Sequence, residues 1–340
     1  MVAFPYQSAA AKSFKPVSIQ CQELLRPGGL SLKGPWRVQA GTGPLEQATP
    51  DFSASPYHET MFPVRFDTLR SSLPLDAEIA EGWLLLEFPI DCGAGPLGVR
   101  VENATSALRL DFFEAQTSIL TVKLGTLGTS EDTEVPLWLP VVHEIPAVGG
   151  PIWVRYQVSN FHHARGGFTF SPVLAPYKDL ESQLQWERLR DMGLFGFILM
   201  MCVYHCILYA LRRKDLSSLA FALLCFTIAV RHLVTSRFIP LAISEPSRLQ
   251  HDLLVRSEYI SMYLALLGFA FFIWAILPRP WYGTFIKGLA VVIGAYTLIT
   301  LILPPPVFTS LIFGFYIVLA ISCVSALAHL VRMVIEGERA

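Results

Sequence analysis

The sequence predicts an all-β jelly-roll or sandwich domain followed by an α-helical transmembrane bundle. Three observations carry that reading. Residues 193–334 of the 340-residue chain hold five apolar runs separated by short charged or Pro-rich breaks. The first half of the chain holds no such run. In its place are short segments in which apolar and polar residues alternate with period two, as a half-buried strand requires.

In chain order, residues 1–19 read as an N-terminal tail. Val2-Ala3-Phe4 is cut by Pro5, and no apolar core of export-signal length follows. The topology argued below carries the next domain across the membrane, so an export signal is expected upstream and the sequence reads as a fragment. Residues 20–175 form one domain of ordinary size. Its clearest strands are Trp83–Phe88, Gly98–Val101, Ala107–Phe112 and Ile152–Val158, bounded by Gly, Pro, Asn and Ser clusters. In Ala107–Phe112 and Ile152–Val158 charged residues alternate with apolar ones, which predicts one face in a core and the other in water. A parallel sheet would need crossover helices, and no helical period separates these strands, so a two-sheet sandwich is expected. Cys21 and Cys92 fall in this domain, and their spacing leaves open a bridge or two buried thiols.

Residues 176–192 read as a linker helix. Pro176 suits a helix start, Leu180 and Leu184 share one face, and Trp186 lies near the expected membrane interface. Run unbroken, it is a stiff coupling element; the Gly and Ser content of a flexible tether is missing. The spans follow at Gly193–Leu211, Leu219–Ile239, Ile260–Leu277, Phe285–Leu303 and Val307–Val334. Each is close to or above the roughly 18–20 residues that carry a helix across a hydrocarbon core. Residues 335–340 are the end of the chain on the inner side.

Orientation follows from the basic residues. Arg212, Arg213 and Lys214 crowd the first break, Arg279 and Lys287 bracket the third, and Arg332 and Arg339 close the chain. All lie on one side, which the retention of Lys and Arg assigns to the cytoplasm. Arg188, Arg190, Arg237, Arg248 and Arg256 oppose this but do not outweigh it. The N-terminal domain is therefore expected outside, in the periplasm of a bacterium, with the C-terminus in the cytoplasm.

Charge and composition set limits on function. A net charge of −1 with sparse basic clusters away from the membrane argues against a nucleic-acid partner. Cys202 and Cys206, i and i+4 on one span with His205 on another face, supply too few ligands for a metal, and Cys225 and Cys323 read as small packing residues. No cofactor motif is visible. Glu87, Glu102, Asp111, Glu114 and Glu144 are scattered, and no two are positioned as the acid and base of a glycosidase, so the chain does not read as an enzyme.

Binding is better supported. Phe161, His162, His163 and Arg165 offer an aromatic face and several donors in a loop after a strand, suited to a polyhydroxylated ligand, with Trp138 as a further candidate. The competing reading is structural, since Asn160 and Gly166-Gly167 also shape turns, and Trp153 within a strand suits a core. Within the spans, Arg231 and His232 are costly in lipid and require an interior partner, for which Glu258 is placed at the same end of the next span. His205 with Tyr209 reads as an interhelical hydrogen-bonding face.

Several stretches resemble a known family. Gly193-Leu194-Phe195-Gly196 and Tyr204-His205-Cys206-Ile207-Leu208-Tyr209-Ala210-Leu211-Arg212-Arg213-Lys214-Asp215, then Leu219-Ala220-Phe221-Ala222-Leu223-Leu224-Cys225 and Arg231, resemble the opening helices of the bacterial seven-transmembrane receptors with diverse intracellular signalling modules. Arg256-Ser257-Glu258-Tyr259-Ile260-Ser261 is similar to the start of that family's third helix. Leu32-Lys33-Gly34-Pro35-Trp36-Arg37-Val38, Gly125-Thr126-Leu127-Gly128-Thr129-Ser130 and Val158-Ser159-Asn160-Phe161-His162-His163-Ala164-Arg165-Gly166-Gly167 resemble the galactose-binding-like jelly roll that some of these receptors carry outside the membrane. The resemblance implies an inner-membrane signalling receptor. Its periplasmic domain would bind a small polar ligand, carbohydrate-like in character, and two further spans and a cyclase, kinase or phosphatase module would follow. Membrane lipid, that ligand and a second copy of the chain are the partners implied. The alternative is a transporter or envelope-assembly subunit whose outer domain docks a partner.

Overall fold

The computed structural model describes residues 16–40, 57–72, 78–89, 93, 95–102, 105–114, 117–147, 150–242, 247–335 and 337. The chain divides into two compact units, residues 1–161 with 166–184, and residues 162–165 with 185–340.

The first unit is a β-sandwich, as expected. Its elements are β1 (Val17–Ser18), α1 (Cys21–Leu25), β2 (Leu30–Ser31), β3 (Gly34–Ala40), β4 (His58–Phe62), β5 (Val64–Arg65), α2 (Phe66–Ser72), β6 (Ile79–Glu87), β7 (Leu97–Val101), β8 (Ala107–Glu114), β9 (Thr117–Leu124), β10 (Val141–Glu144), β11 (Ile152–Ser159), β12 (Gly167–Phe168) and β13 (Val173–Pro176). The larger sheet runs β4-β3-β6-β11-β8-β9 with β1 added in parallel to β6; the smaller runs β10-β7-β13-β2, and β12 and β5 form a two-stranded ribbon. The four expected strands are β6, β7, β8 and β11. Cys21 is disulfide-bonded; Cys92, its candidate partner, lies outside the described residues.

Period two decides which residues meet in the core. Ala80, Leu84 and Leu86 of β6, Leu108, Leu110 and Phe112 of β8, and Ile152, Val154, Tyr156 and Val158 of β11 point one way and meet Val99, Val101 and Leu174 of the smaller sheet. Aromatic rings close one end: Trp36 stacks on Phe62 at 4.6 Å, and Phe168 meets both Phe62 at 4.5 Å and Tyr156 at 5.1 Å. The opposite face of the large sheet departs from expectation. Asp111 and Arg155 alternate with the core residues as foreseen, yet both are fully buried rather than solvated. They are compatible with a dry site because they pair with each other, Arg155 donating from Nε at 3.0 Å and from Nη2 at 2.7 Å to Asp111 Oδ2.

The second unit is helical. Its elements are α3 (Tyr177–Leu211, which begins within the first unit), α4 (Leu216–Thr235), α5 (Phe238–Ala242), α6 (Arg248–Ile276), α7 (Pro280–Ile302), α8 (Pro305–Ser310) and α9 (Ile312–Ile335). Five of them, α3, α4, α6, α7 and α9, are long and apolar enough to cross a membrane. The expected linker helix and first span are one 35-residue helix. The fifth run is divided: Pro304-Pro305-Pro306 starts α8, and a break at Leu311 precedes α9. Val255, Tyr259, Tyr263, Leu266 and Ala270 of α6 form the bundle core with Leu289 and Ile293 of α7, Phe308 of α8, and Ile312 and Phe315 of α9.

Candidate functional site

The loop between β11 and β12 is the best defined recognition candidate, and its base is held by Glu134. That side chain is fully buried. Its Oε1 accepts the Ser159 hydroxyl at 2.8 Å and the Ala107 N–H at 3.3 Å, and its Oε2 accepts the Phe161 N–H at 2.7 Å. Three donors on one carboxylate compensate its burial and fix where the strand ends and the loop begins. Two glycines make the approach possible. A Cβ at Gly128 would collide with the Glu134 backbone, and one at Gly166 with the Asn160 side chain. The Gly128 N–H donates to Ser159 Oγ at 3.2 Å, and the Gly167 N–H to Ser106 Oγ at 3.2 Å. The 125–130 and 158–167 motifs are thus brought together around one buried carboxylate.

At the tip, Phe161, His162, His163 and Arg165 are each partly exposed. Residues 162–165 cluster with the helical unit. Within it, the Ala164 N–H donates to Thr309 Oγ1 at 3.2 Å, and the His162 ring lies 6.4 Å from that of His251 in a tilted edge contact. The Arg165 N–H donates to His163 Nδ1 at 3.0 Å. Burial, with the Arg165 charge beside it, lowers the His163 pKa from its usual value to about 4, so the ring is neutral at pH 7 and free to accept that bond. Trp138 is half-buried between β9 and β10.

A second polar surface was not visible in the sequence. On the outward face of the large sheet, Arg37, Trp83, Arg155, Asp111 and Thr121 stand in register across five strands. Gln39, Glu81, Gln157, Arg109 and Lys123 form the neighbouring row. Arg155 lies 5.6 Å from the Trp83 ring and 5.2 Å from the Phe113 ring. Asp111 also accepts from Arg109 Nε at 2.9 Å and from the Thr121 hydroxyl at 2.6 Å, while Glu81 accepts from Gln39 Nε2, Trp83 Nε1 and Gln157 Nε2. The network is largely closed on itself. Period two placed these residues on one face, but only their registers, set by pairing between distant strands, could show that they form a single cluster.

In the helical unit, Arg231 Nη1 donates to the backbone carbonyl of Glu258 at 3.0 Å. His232 Nε2 lies 2.9 Å from the Asp191 carbonyl of α3. The His205 ring packs edge-on against Tyr204 at 5.2 Å and Phe221 at 4.5 Å. Among the described residues no cluster of three or more His, Cys, Asp or Glu could hold a metal, and Cys202, Cys206, Cys225 and Cys323 are free thiols.

Residues 187–340 match the family described as 7TM diverse intracellular signalling. The helical half of the chain belongs to this family. The match covers the Gly193–Asp215, Leu219–Arg231 and Arg256–Ser261 stretches on which the resemblance rested, and it makes the chain a multi-pass membrane protein of receptor type. No curated protein matches the chain. Similar solved structures include a beta-glucuronidase from Faecalibacterium prausnitzii, with 12% identity over 39% of this chain and 21% of that one at a TM-score of 0.29. A beta-glucuronidase from Ruminococcus gnavus shares 12% identity over 47% and 29%, with a TM-score of 0.30. A putative beta-galactosidase from Bacteroides fragilis shares 12% over 42% and 22%, with a TM-score of 0.29. The chain therefore spans between about a fifth and less than a third of the length of these structures.

Proposed function

We propose that this chain is the sensory part of an inner-membrane signalling receptor. Its β-sandwich lies in the periplasm and binds a small, polar, carbohydrate-like ligand. The helical bundle carries the bound state to a cytoplasmic output module. The observation that supports this reading best is the Glu134 clamp. It fixes the backbone of a loop whose tip offers an aromatic ring, two imidazoles and a guanidinium, a preorganised set for hydroxyl groups and for the apolar face of a sugar ring. Residues 162–165 of that loop also cluster with the helices. A ligand shifts the bundle only through differential contacts with its two states.

The sheet face around Trp153 is the second site reading, favoured by a half-exposed indole that meets the Trp83 ring edge-on at 6.4 Å and, two rows further along the same face, by two buried amide oxygens, Gln39 Oε1 and Gln157 Oε1, that find no hydrogen-bond partner among the described residues. Two variant sets separate the readings. With the loop as site, replacing His162, His163 and Arg165 by Ala abolishes binding in a glycan and polyol screen on the purified chain, and Trp153→Ala leaves it intact. The reverse result moves the site to the sheet. Binding that survives both sets rejects the proposal.

A further inference from the structure

Helix α3 ends at Leu211 and α4 begins at Leu216, and the turn that joins them reads Arg212-Arg213-Lys214-Asp215. The three cations are exposed. Among the described residues their side chains take part in no ion pair and no hydrogen bond. The adjoining carboxylate is turned into its own helix instead. Asp215 Oδ1 accepts the Ser217 N–H at 3.2 Å and the Ser217 hydroxyl at 2.5 Å, and Oδ2 accepts the Ser218 hydroxyl at 2.6 Å. The turn is thus a compact patch of positive charge whose nearest acid is occupied as a helix cap.

Its depth follows from helix length. The 20 residues of α4 rise about 30 Å, the thickness of a hydrocarbon core, so the turn that opens this span lies in the headgroup layer, roughly 5–7 Å deep. Phosphate is the anion concentrated there. The neighbouring surface is apolar: Ile207 and Leu211 on α3 and Leu216 on α4 are exposed beside the turn. Little of the apolar stretch of α3 is covered by the rest of the helical unit, which leaves it to acyl chains.

We infer that the Arg212–Lys214 turn binds the phosphate of anionic phospholipids, with their acyl chains lying along the exposed end of α3. The two guanidinium groups take phosphate oxygens in pairs, and the ammonium adds a point charge beside them. Zwitterionic phosphatidylcholine has the same phosphate but brings its own cation, so a preference for the anionic lipid is the signature of this site. Three basic residues at an anionic surface correspond to roughly a hundredfold preference at low salt. An acidic protein segment would meet the same charges but would leave the apolar end of α3 unexplained. The inference is independent of the ligand bound by the sandwich.

Native mass spectrometry of the purified chain in detergent tests this, with phosphatidylglycerol and phosphatidylcholine as lipid probes, and glycerol 3-phosphate and a hexaglutamate peptide as soluble ones. The wild type should retain phosphatidylglycerol at least tenfold better than phosphatidylcholine, and the preference should shrink as ammonium acetate is raised, because exposed charges are screened. Replacing Arg212, Arg213 and Lys214 together by Gln should remove the preference, whereas Arg212→Lys with Arg213→Lys should keep most of it. Arg188→Gln, near the other end of the α3 span, should leave it in place. Helical circular dichroism of each variant is compared with the wild type, so a loss caused by misfolding is recognised. Equal retention of the two lipids by the wild type overturns the inference, as does unchanged selectivity in the glutamine triple. Glycerol 3-phosphate bound as tightly as the lipid, or phosphatidylglycerol displaced by equimolar hexaglutamate, overturns it in favour of a free phosphate or an acidic protein.

Discussion

Asp111 and Arg155 show at the residue scale why a charge on an alternating strand does not announce a wet face. The same period-two pattern is produced whether the second face meets water or closes over a paired network, because alternation records side, and burial depends on what covers that side. The cost of breaking the pair follows from its dryness. Arg155→Met leaves the Asp111 carboxylate to Arg109 and Thr121 and should destabilise the sandwich by about 3 kcal/mol. Thermal unfolding of the chain should show the loss, and adding Asp111→Leu should recover much of it, since an apolar pair of similar volume needs no compensation. His163 supplies a second residue-scale test. Its pKa, about 4 in the folded loop against 6.5 when unfolded, means that the unfolded state binds more protons between those values. The loop's stability is therefore complete above pH 6.5 and falls as the pH drops towards 4. Protonation of Nδ1 also removes the acceptor of the Arg165 N–H. Amide hydrogen exchange at Arg165, corrected for intrinsic rates, should accelerate across that window in the wild type and stay flat in His163→Gln.

At the element scale the spans were legible because lipid leaves one solution, a helix of sufficient apolar length, and sequence length alone measures it. The sandwich was legible as a class, and β6, β7, β8 and β11 as strands. The loop clamp was not: Glu134 stands alone between Thr133 and Val135, and its three donors come from residues 25 to 27 positions away. The signal available was indirect, two glycines in Gly125-Thr126-Leu127-Gly128 just upstream, where close packing against another backbone was the reason for the missing side chain. Glu134→Ala removes the acceptor from three donors at once, two of them buried, and should cost about 2–4 kcal/mol, with weaker ligand binding as the loop loses its fixed backbone. Helix α3 carries a different lesson. Leu180 and Leu184 are buried, while Trp186, Leu189 and Met192 are exposed, so one continuous helix changes environment within a single turn. An insertion of three glycines after Ser182 breaks that continuity without touching the loop. Ligand affinity should be unchanged, and signalling by a complete receptor should be lost; retained signalling would remove α3 from the coupling route.

For the molecule as a whole, the division into two units predicts where the chain can be cut. Among the described residues the sandwich core is assembled from residues of the first unit, with no contribution from the spans. Its hydrophobic stabilisation therefore does not depend on lipid, and a fragment of this unit should fold in water. The natural boundary is less obvious. A cut at Pro176, the end of β13, looks clean by secondary structure, but the first unit extends to Leu184, and the buried Leu180 and Leu184 belong to it. Gly98 also packs closely on Tyr177, where a Cβ would lie 3.0 Å from the Tyr177 Cα. Removing residues 177–184 exposes two leucines' worth of apolar contacts, at about 1.5–3 kcal/mol for each fully buried side chain. Residues 12–184 should accordingly give a soluble, monomeric, mainly β domain. Residues 12–176 should unfold at a lower temperature and bind a hydrophobic dye more strongly. Circular dichroism melts of the two fragments side by side decide it, and equal melting temperatures would place the boundary at the end of β13 after all.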